Sequence, residues 1–185
     1  MLVLINGLQA GNQSGTGTYT TQLARWMPEI AAGREGWDLR IVWPTGLSLP
    51  GQSGNPDAFI PRGAAGFVSR LLYDQVGFRR DAARLGADVI HYPASVGGLF
   101  PACNMVVTVH DLSFFVDPKW FRFERAQYYR QGVARGVRRA SRIIADSRAT
   151  ADDLVKVLRA RPDRIDVIPL GVDDRFRPAP GESTE

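Results

Sequence analysis

Apolar residues in this chain fall into short runs separated by longer stretches of helical spacing. Leu2 to Ile5 is such a run, ends at Asn6-Gly7 and is followed by a loop rich in Gly, Ser, Asn and Thr. From Thr18 the apolar residues Tyr19, Leu23, Trp26, Met27 and Ile30 share one helical face, with Pro28 expected to kink that helix or end it early. Leu39 to Trp43 predicts a second strand stopped by Pro44, and the Gly/Pro/Ser/Asn-dense stretch from Thr45 to Arg62 predicts a long loop. Val68, Leu71, Leu72, Val76 and Phe78 recur at helical spacing in a segment closed by Gly86. Strands are expected again at Asp88 to Pro93 and at Met105 to Val109, and a helix from Phe123 to Ala140 despite two interior glycines. Ile143 to Ala145 reads as a strand, Ser147 as the N-cap of a helix carrying Ala151, Leu154, Val155 and Leu158 on one face, and Ile165 to Ile168 as the last strand.

Strands alternating with amphipathic helices require parallel crossovers. The expected fold is therefore α/β, a doubly wound parallel sheet with helices on both faces, Rossmann-like, in one domain over residues 1–176. Residues 177–185, a polar Pro/Gly-containing tail, are expected to be linker. In such a sheet ligands bind beyond the carboxyl ends of the strands, which directs attention to the loops there.

Composition narrows this picture little. The 44% hydrophobic and 23% charged shares are those of a soluble globular domain, and no apolar run is long enough to span a bilayer. The apolar N-terminus has no basic leader and reads as a strand rather than a signal peptide; with Cys103 as the only cysteine, a reducing, cytoplasmic setting is expected. The net charge of +4 matters less than its placement.

Four segments collect at the carboxyl edge: Gln13-Ser14-Gly15-Thr16-Gly17, His91-Tyr92, His110-Asp111 and Asp146-Ser147. Both histidines of the chain are among them. Gly15-Thr16-Gly17 lacks the third glycine of a dinucleotide fingerprint, since Thr20 stands there, and Trp43-Pro44 offers no ribose-binding acid. No Gly-Lys-Ser/Thr makes a P-loop, no Gly-x-Ser-x-Gly makes a nucleophile elbow, and no converging ligand set makes a metal site. What remains is a flexible backbone that lets a diphosphate or sugar approach N–H groups at a helix start. His110-Asp111 has the donors and acceptors to hold sugar hydroxyls, set against the plainer reading in which Asp111 caps the next turn.

As a set these residues carry a resemblance. Gly15-Thr16-Gly17-Thr18-Tyr19, Thr108-Val109-His110-Asp111-Leu112-Ser113-Phe114, Ala145-Asp146-Ser147-Arg148-Ala149-Thr150 and Ile165-Asp166-Val167-Ile168-Pro169-Leu170-Gly171-Val172-Asp173 resemble, in this order, the N-terminal half of the group 1 (family 4) retaining glycosyltransferases. The bacterial mannosyltransferase-like members look most similar. The resemblance implies a GT-B architecture, in which this domain receives the acceptor and a second domain holds the nucleotide sugar. It implies transfer from a nucleoside-diphosphate sugar to a saccharide or lipid-linked acceptor with retention, no cofactor or required metal, and little activity without the C-terminal domain. It assigns His110 to the transferred sugar, Gly15, Thr16 and Gly17 to the donor diphosphate and acceptor, Asp111 and Ser147 to the same pocket and Arg148 to the acceptor, beside His91 from the edge reading. A non-catalytic nucleotide- or sugar-binding module of the same fold is the alternative.

Arg122, Arg125, Arg130, Arg135, Arg138, Arg139 and Arg142 face only Glu124 in this stretch, just after or among Phe114, Phe115, Trp120, Phe121 and Phe123. A solvated helix face is the plain expectation; peripheral contact with an anionic membrane, on its inner face, is the functional one. The aromatics match no nucleic-acid-binding signature, so no nucleic-acid partner is expected.

Overall fold

The computed structural model describes residues 1–50, 58–63, 66–116, 123–172 and 176, without the side chains of Phe67, Phe123, Glu124 and Arg125. Seven strands form one parallel sheet: β1 (Leu2–Asn6), β2 (Asp38–Pro44), β3 (Phe59–Arg62), β4 (Val89–Tyr92), β5 (Asn104–Val109), β6 (Arg142–Ala145) and β7 (Ile165–Val167). Their order is β3-β2-β1-β4-β5-β6-β7, so the chain winds outward from β1 to one edge and then returns to build the other half. The α/β, Rossmann-like expectation is met.

Strand parity explains the two-sided core. Val3 and Ile5 of β1 pack on one face with Ala24 and Ala31, whereas Leu4 between them packs on the other with Phe78, Ile90, Met105, Val133 and Val137. The helices are α1 (Gly15–Ala32), α2 (Phe67–Leu72), α3 (Phe78–Leu85), α4 (Ser113–Val116), α5 (Phe123–Arg139) and α6 (Arg148–Leu158).

Four local expectations are corrected. The segment expected to be loop up to Arg62 ends in β3, because Phe59 buries against Trp43 and Arg62 ties the strand to α3 through two 2.9 Å bonds to Asp81. Pro61 is compatible with this because β3 lies at the sheet edge. Helix α1 begins at Gly15, capped by Ser14, and passes through Pro28 without ending. Its buried residues are Gly17, Thr20, Ala24, Pro28 and Ala31, while Trp26 and Ile30 are half exposed. Small side chains bring the helix close to the sheet, so the large apolar ones turn outward. The fourth correction concerns 67–85, expected as one helix with Val68, Leu72 and Val76 inward. A π-helical turn, Tyr73–Gly77, separates α2 from α3. The extra residue shifts the helical phase. Val68, Leu72 and Val76 are exposed, and Asp74 and Phe78 are buried.

Helix α5 keeps its two interior glycines for packing. A Cβ on Gly136 would stand 2.8 Å from the Gly97 backbone nitrogen, and one on Gly132 2.9 Å from Val96. The 95–97 loop therefore lies directly on α5, which sets one wall of the crevice described next.

Candidate functional site

In a doubly wound sheet the crevice opens where successive crossovers leave in opposite directions, here between β1 and β4. Asn6 ends β1, and Tyr92 ends β4 with Pro93 next. Between them lies an open recess of about 20 Å³, lined by Asn6, Gln9, Arg70, Asp74, Pro93 and Tyr128, with Tyr129 beside the last. That floor has room for about one water-sized group.

Asp74 is the chemically distinctive member. The π turn carries it inward, where Asn6 Nδ2 donates to its Oδ1 at 2.8 Å, and Asn6 Oδ1 in turn accepts from Leu8 N at 3.2 Å. The Asp74 carbonyl accepts from Tyr92 OH at 2.9 Å. Burial pushes its carboxyl up from 3.8 to about 6, against the opposing pull of the Asn6 bond and the Arg70 charge. Arg70 is held by Asn12 Oδ1 at 3.1 Å. Asp74 was not singled out from the sequence, where it reads as a polar position inside an apolar-periodic helix. Asn6 had a signal, as the last residue before the strand-ending Gly7.

The residues expected from the sequence form a second group beside the recess. His110, after β5, directs Nδ1 at Asp146 Oδ2 (2.6 Å) and Nε2 at the Pro93 carbonyl (2.9 Å), and its own carbonyl accepts from Thr150 Oγ1 at 3.0 Å. A carboxylate and a carbonyl both only accept, so both contacts are hydrogen bonds at once only with a proton on each ring nitrogen. Tyr19 packs edge-on against the ring, with centroids 4.9 Å apart. Asp146 Oδ1 is buried without a partner among the described residues. Neither nitrogen of His110 is free for a sugar while Pro93 and Asp146 are engaged. Pro93 lines the recess and accepts from His110, so the two groups share a wall.

The other expected residues are less convergent. Asp111 is exposed, and its Oδ1 accepts from Ser113 N at 2.8 Å, which is the turn-capping role. Ser147 caps α6 by accepting from Thr150 N at 3.1 Å, and Arg148 is exposed on the first turn. Gly15 is exposed at the start of α1, Thr16 half-buried and Gly17 buried. His91 is not at the surface: it lies within β4, buried, with Nε2 2.8 Å from Thr108 Oγ1, which also shares a 3.3 Å hydrogen bond with Tyr19 OH. Burial first, and His110 second, hold its imidazole down from 6.5 to about 4. Neutral His91 therefore contributes stability that is complete above pH 6.5 and lost as pH falls toward about 4. Its NMR signals should show no protonation between about pH 5.5 and 7.5; a midpoint near 6.5 would contradict this.

Gly15 and Gly17 differ sharply in what they tolerate. A Cβ on Gly17 would stand 2.0 Å from the Asn12 carbonyl oxygen, whereas one on Gly15 meets nothing within 4 Å. Gly17→Ala is expected to cost about 1–3 kcal/mol by forcing that backbone aside, and Gly15→Ala to be neutral or slightly stabilising. Thermal melts of the two variants check the contrast.

The arginine stretch is partly absorbed by the protein. Arg130 sits over Phe115 at 5.5 Å, Arg139 over Phe100 at 5.1 Å, and Arg142 pairs with Asp166. Arg135 and Arg138 are exposed, and Trp120, Phe121 and Arg122 lie outside the described residues, as do residues 177–185. Among the described residues no helix is long and apolar enough to cross a membrane, and no three His, Cys, Asp or Glu side chains are placed to hold a metal ion.

Residues 13–176 match the family model described as Glycosyltransferase Family 4. No curated protein matches the chain.

Proposed function

Since the chain belongs to glycosyltransferase family 4, we propose that it is the acceptor-side half of a retaining enzyme that moves a sugar, mannose being the first candidate, from a nucleoside diphosphate to a saccharide or lipid-linked acceptor. A glycosyltransferase domain needs a sugar donor and an acceptor. The observation that supports the acceptor assignment is the polar recess between β1 and β4, which offers carboxylate, amide and guanidinium groups but few anchors for a diphosphate. The donor diphosphate would be held chiefly by a second domain, with the exposed start of α1 at Gly15 and Thr16 reaching across to it. In the oxocarbenium-like transition state, negative charge grows on the leaving diphosphate and positive charge on the sugar. His110 acts here through position. It braces Pro93 against Asp146, and reaches the sugar only after giving up one of those bonds. The nucleotide sugar is a co-substrate, and no cofactor is called for. The reaction would take place in the cytoplasm, or at the inner face of its membrane.

The experiment is turnover of GDP-mannose and UDP-sugars by the full-length protein against saccharide and lipid acceptors, with the anomeric configuration of the product read by NMR. Transfer with retention is expected. Inversion, or no transfer from any donor, overturns the proposal and favours a nucleotide- or sugar-binding module.

A further inference from the structure

The floor of the β1/β4 recess has a size and a chemistry that narrow what enters it. Its 20 Å³ is of the right order for a hydroxyl-sized group. Asp74 Oδ1 faces Asn6, leaving acceptor capacity on the carboxylate. Among the described residues, the charged or titratable groups that line it with Asp74 are Arg70 of α2, Tyr92 of β4 and Tyr128 and Tyr129 of α5, with the neutral amide of Asn6 from β1. The Tyr92 and Tyr128 hydroxyls are both held above the ordinary phenol range, by burial first and by Asp74 next, and so stay neutral. Among the described residues the Arg70 guanidinium offsets the Asp74 carboxylate, so the described lining carries no net charge to favour an anion.

We propose that this recess is a hydroxyl socket for the acceptor: one hydroxyl of an uncharged pyranose enters it and donates to the Asp74 carboxylate, with Gln9 and Arg70 at the rim. This rests on reading the crevice as the acceptor side. The π turn that aims Asp74 inward is part of the device, since a regular helix would turn that carboxyl away from Asn6. Substrate discrimination then depends on the presence of that single hydroxyl. A pyranose lacking it leaves Asp74 without its new partner, and a uronate gains nothing from Arg70.

The test uses the full-length protein with methyl α-D-mannopyranoside, methyl α-D-glucopyranoside, their monodeoxy analogues and the corresponding methyl uronates as probes, titrated by ligand-observed NMR. At least one uncharged pyranoside should bind more tightly than its uronate, and removal of one particular hydroxyl should weaken it about tenfold. Asp74→Asn, which keeps the Asn6 contact and the fold, should weaken the parent pyranoside by about the same factor and make that deoxy analogue no worse than the parent. Wild-type binding should weaken below pH about 6, and the variant should not follow. Equal binding of every probe by wild type and Asp74→Asn, or no binding by wild type, overturns the socket. Sugar transfer is read separately. Transfer with probe binding indifferent to Asp74 removes the socket and leaves the glycosyltransferase reading, whereas socket binding without transfer from any donor does the reverse.

Discussion

Replacing His110 by alanine is expected to destabilise the domain by about 2 kcal/mol, before any effect on sugar transfer is counted. The side chains of His110 and Asp146 are only 16% and 14% exposed, and Asp146 Oδ1 already has no partner among the described residues. Truncating the histidine leaves Asp146 Oδ2 without its hydrogen-bond partner and releases the Pro93 carbonyl. Asp146→Asn in the alanine background replaces the unpartnered carboxylate by an amide that can also donate, so the double variant should recover part of the loss. Urea unfolding of the two single variants and the double variant measures the coupling. A cost for His110→Ala below about 0.5 kcal/mol, with no coupling, would show that the pair is not a structural brace. The same result governs how lost transfer in His110→Ala is read. If stability and acceptor KM change together, the histidine positions the wall at Pro93; a fall in kcat alone points to direct contact with the sugar.

Asp74→Asn is expected to act in the opposite direction on stability. Burial raises the Asp74 carboxyl from 3.8 to about 6, so folding favours its protonated form. Relative to the unfolded chain, stability is greatest below pH 3.8 and falls as pH rises toward about 6, after which the cost is constant at about 3 kcal/mol. Asparagine has the shape of the neutral acid and keeps the 2.8 Å contact from Asn6, so the variant should be more stable by up to that amount at pH 7.5 and by nothing near pH 3.5. His91 runs the other way, losing stability as pH falls from 6.5 to about 4. The two windows overlap with opposite signs. The wild-type protein should therefore show a nearly flat stability between about pH 4 and 6, and Asp74→Asn should expose the acid loss due to His91. Urea midpoints at several pH values read both effects; a variant less stable than wild type at pH 7.5 contradicts the account.

The alternation of strands and helices was legible because each buried strand is a compact apolar run that ends in Gly, Pro or a polar residue, as at Asn6-Gly7 and Tyr92-Pro93. β3 was hidden because it is four residues long and Pro61 cuts its apolar signal to the pair Phe59-Ile60. The inward face of α1 was misread because the periodicity followed size. Gly17, Thr20 and Ala24 bury where close approach to the sheet matters, and the large Trp26 does not. Periodicity also cannot register a π turn, since one added residue moves Val68, Leu72 and Val76 out of the core and Asp74 into the crevice. That shift is why the recess went unseen. The His110 cluster was half visible: the sequence placed His110 and Asp146 at the ends of β5 and β6, but their contact across 36 residues depends on the register that pairs Val109 with Ala145. His91 shows the limit of edge arguments, since a histidine one residue inside a strand end is a core residue bound to Thr108.

Hydrogen–deuterium exchange of the full-length protein, with and without a saccharide acceptor that it glycosylates, tests most directly that the acceptor is received between β1 and β4. Acceptor-dependent protection is expected in 6–12, 70–75 and 93–97, the three segments that carry Asn6, Gln9, Arg70, Asp74 and Pro93. Protection confined to 111–116 and to α6, with those three segments unchanged, would contradict it and move the acceptor to the far side of His110.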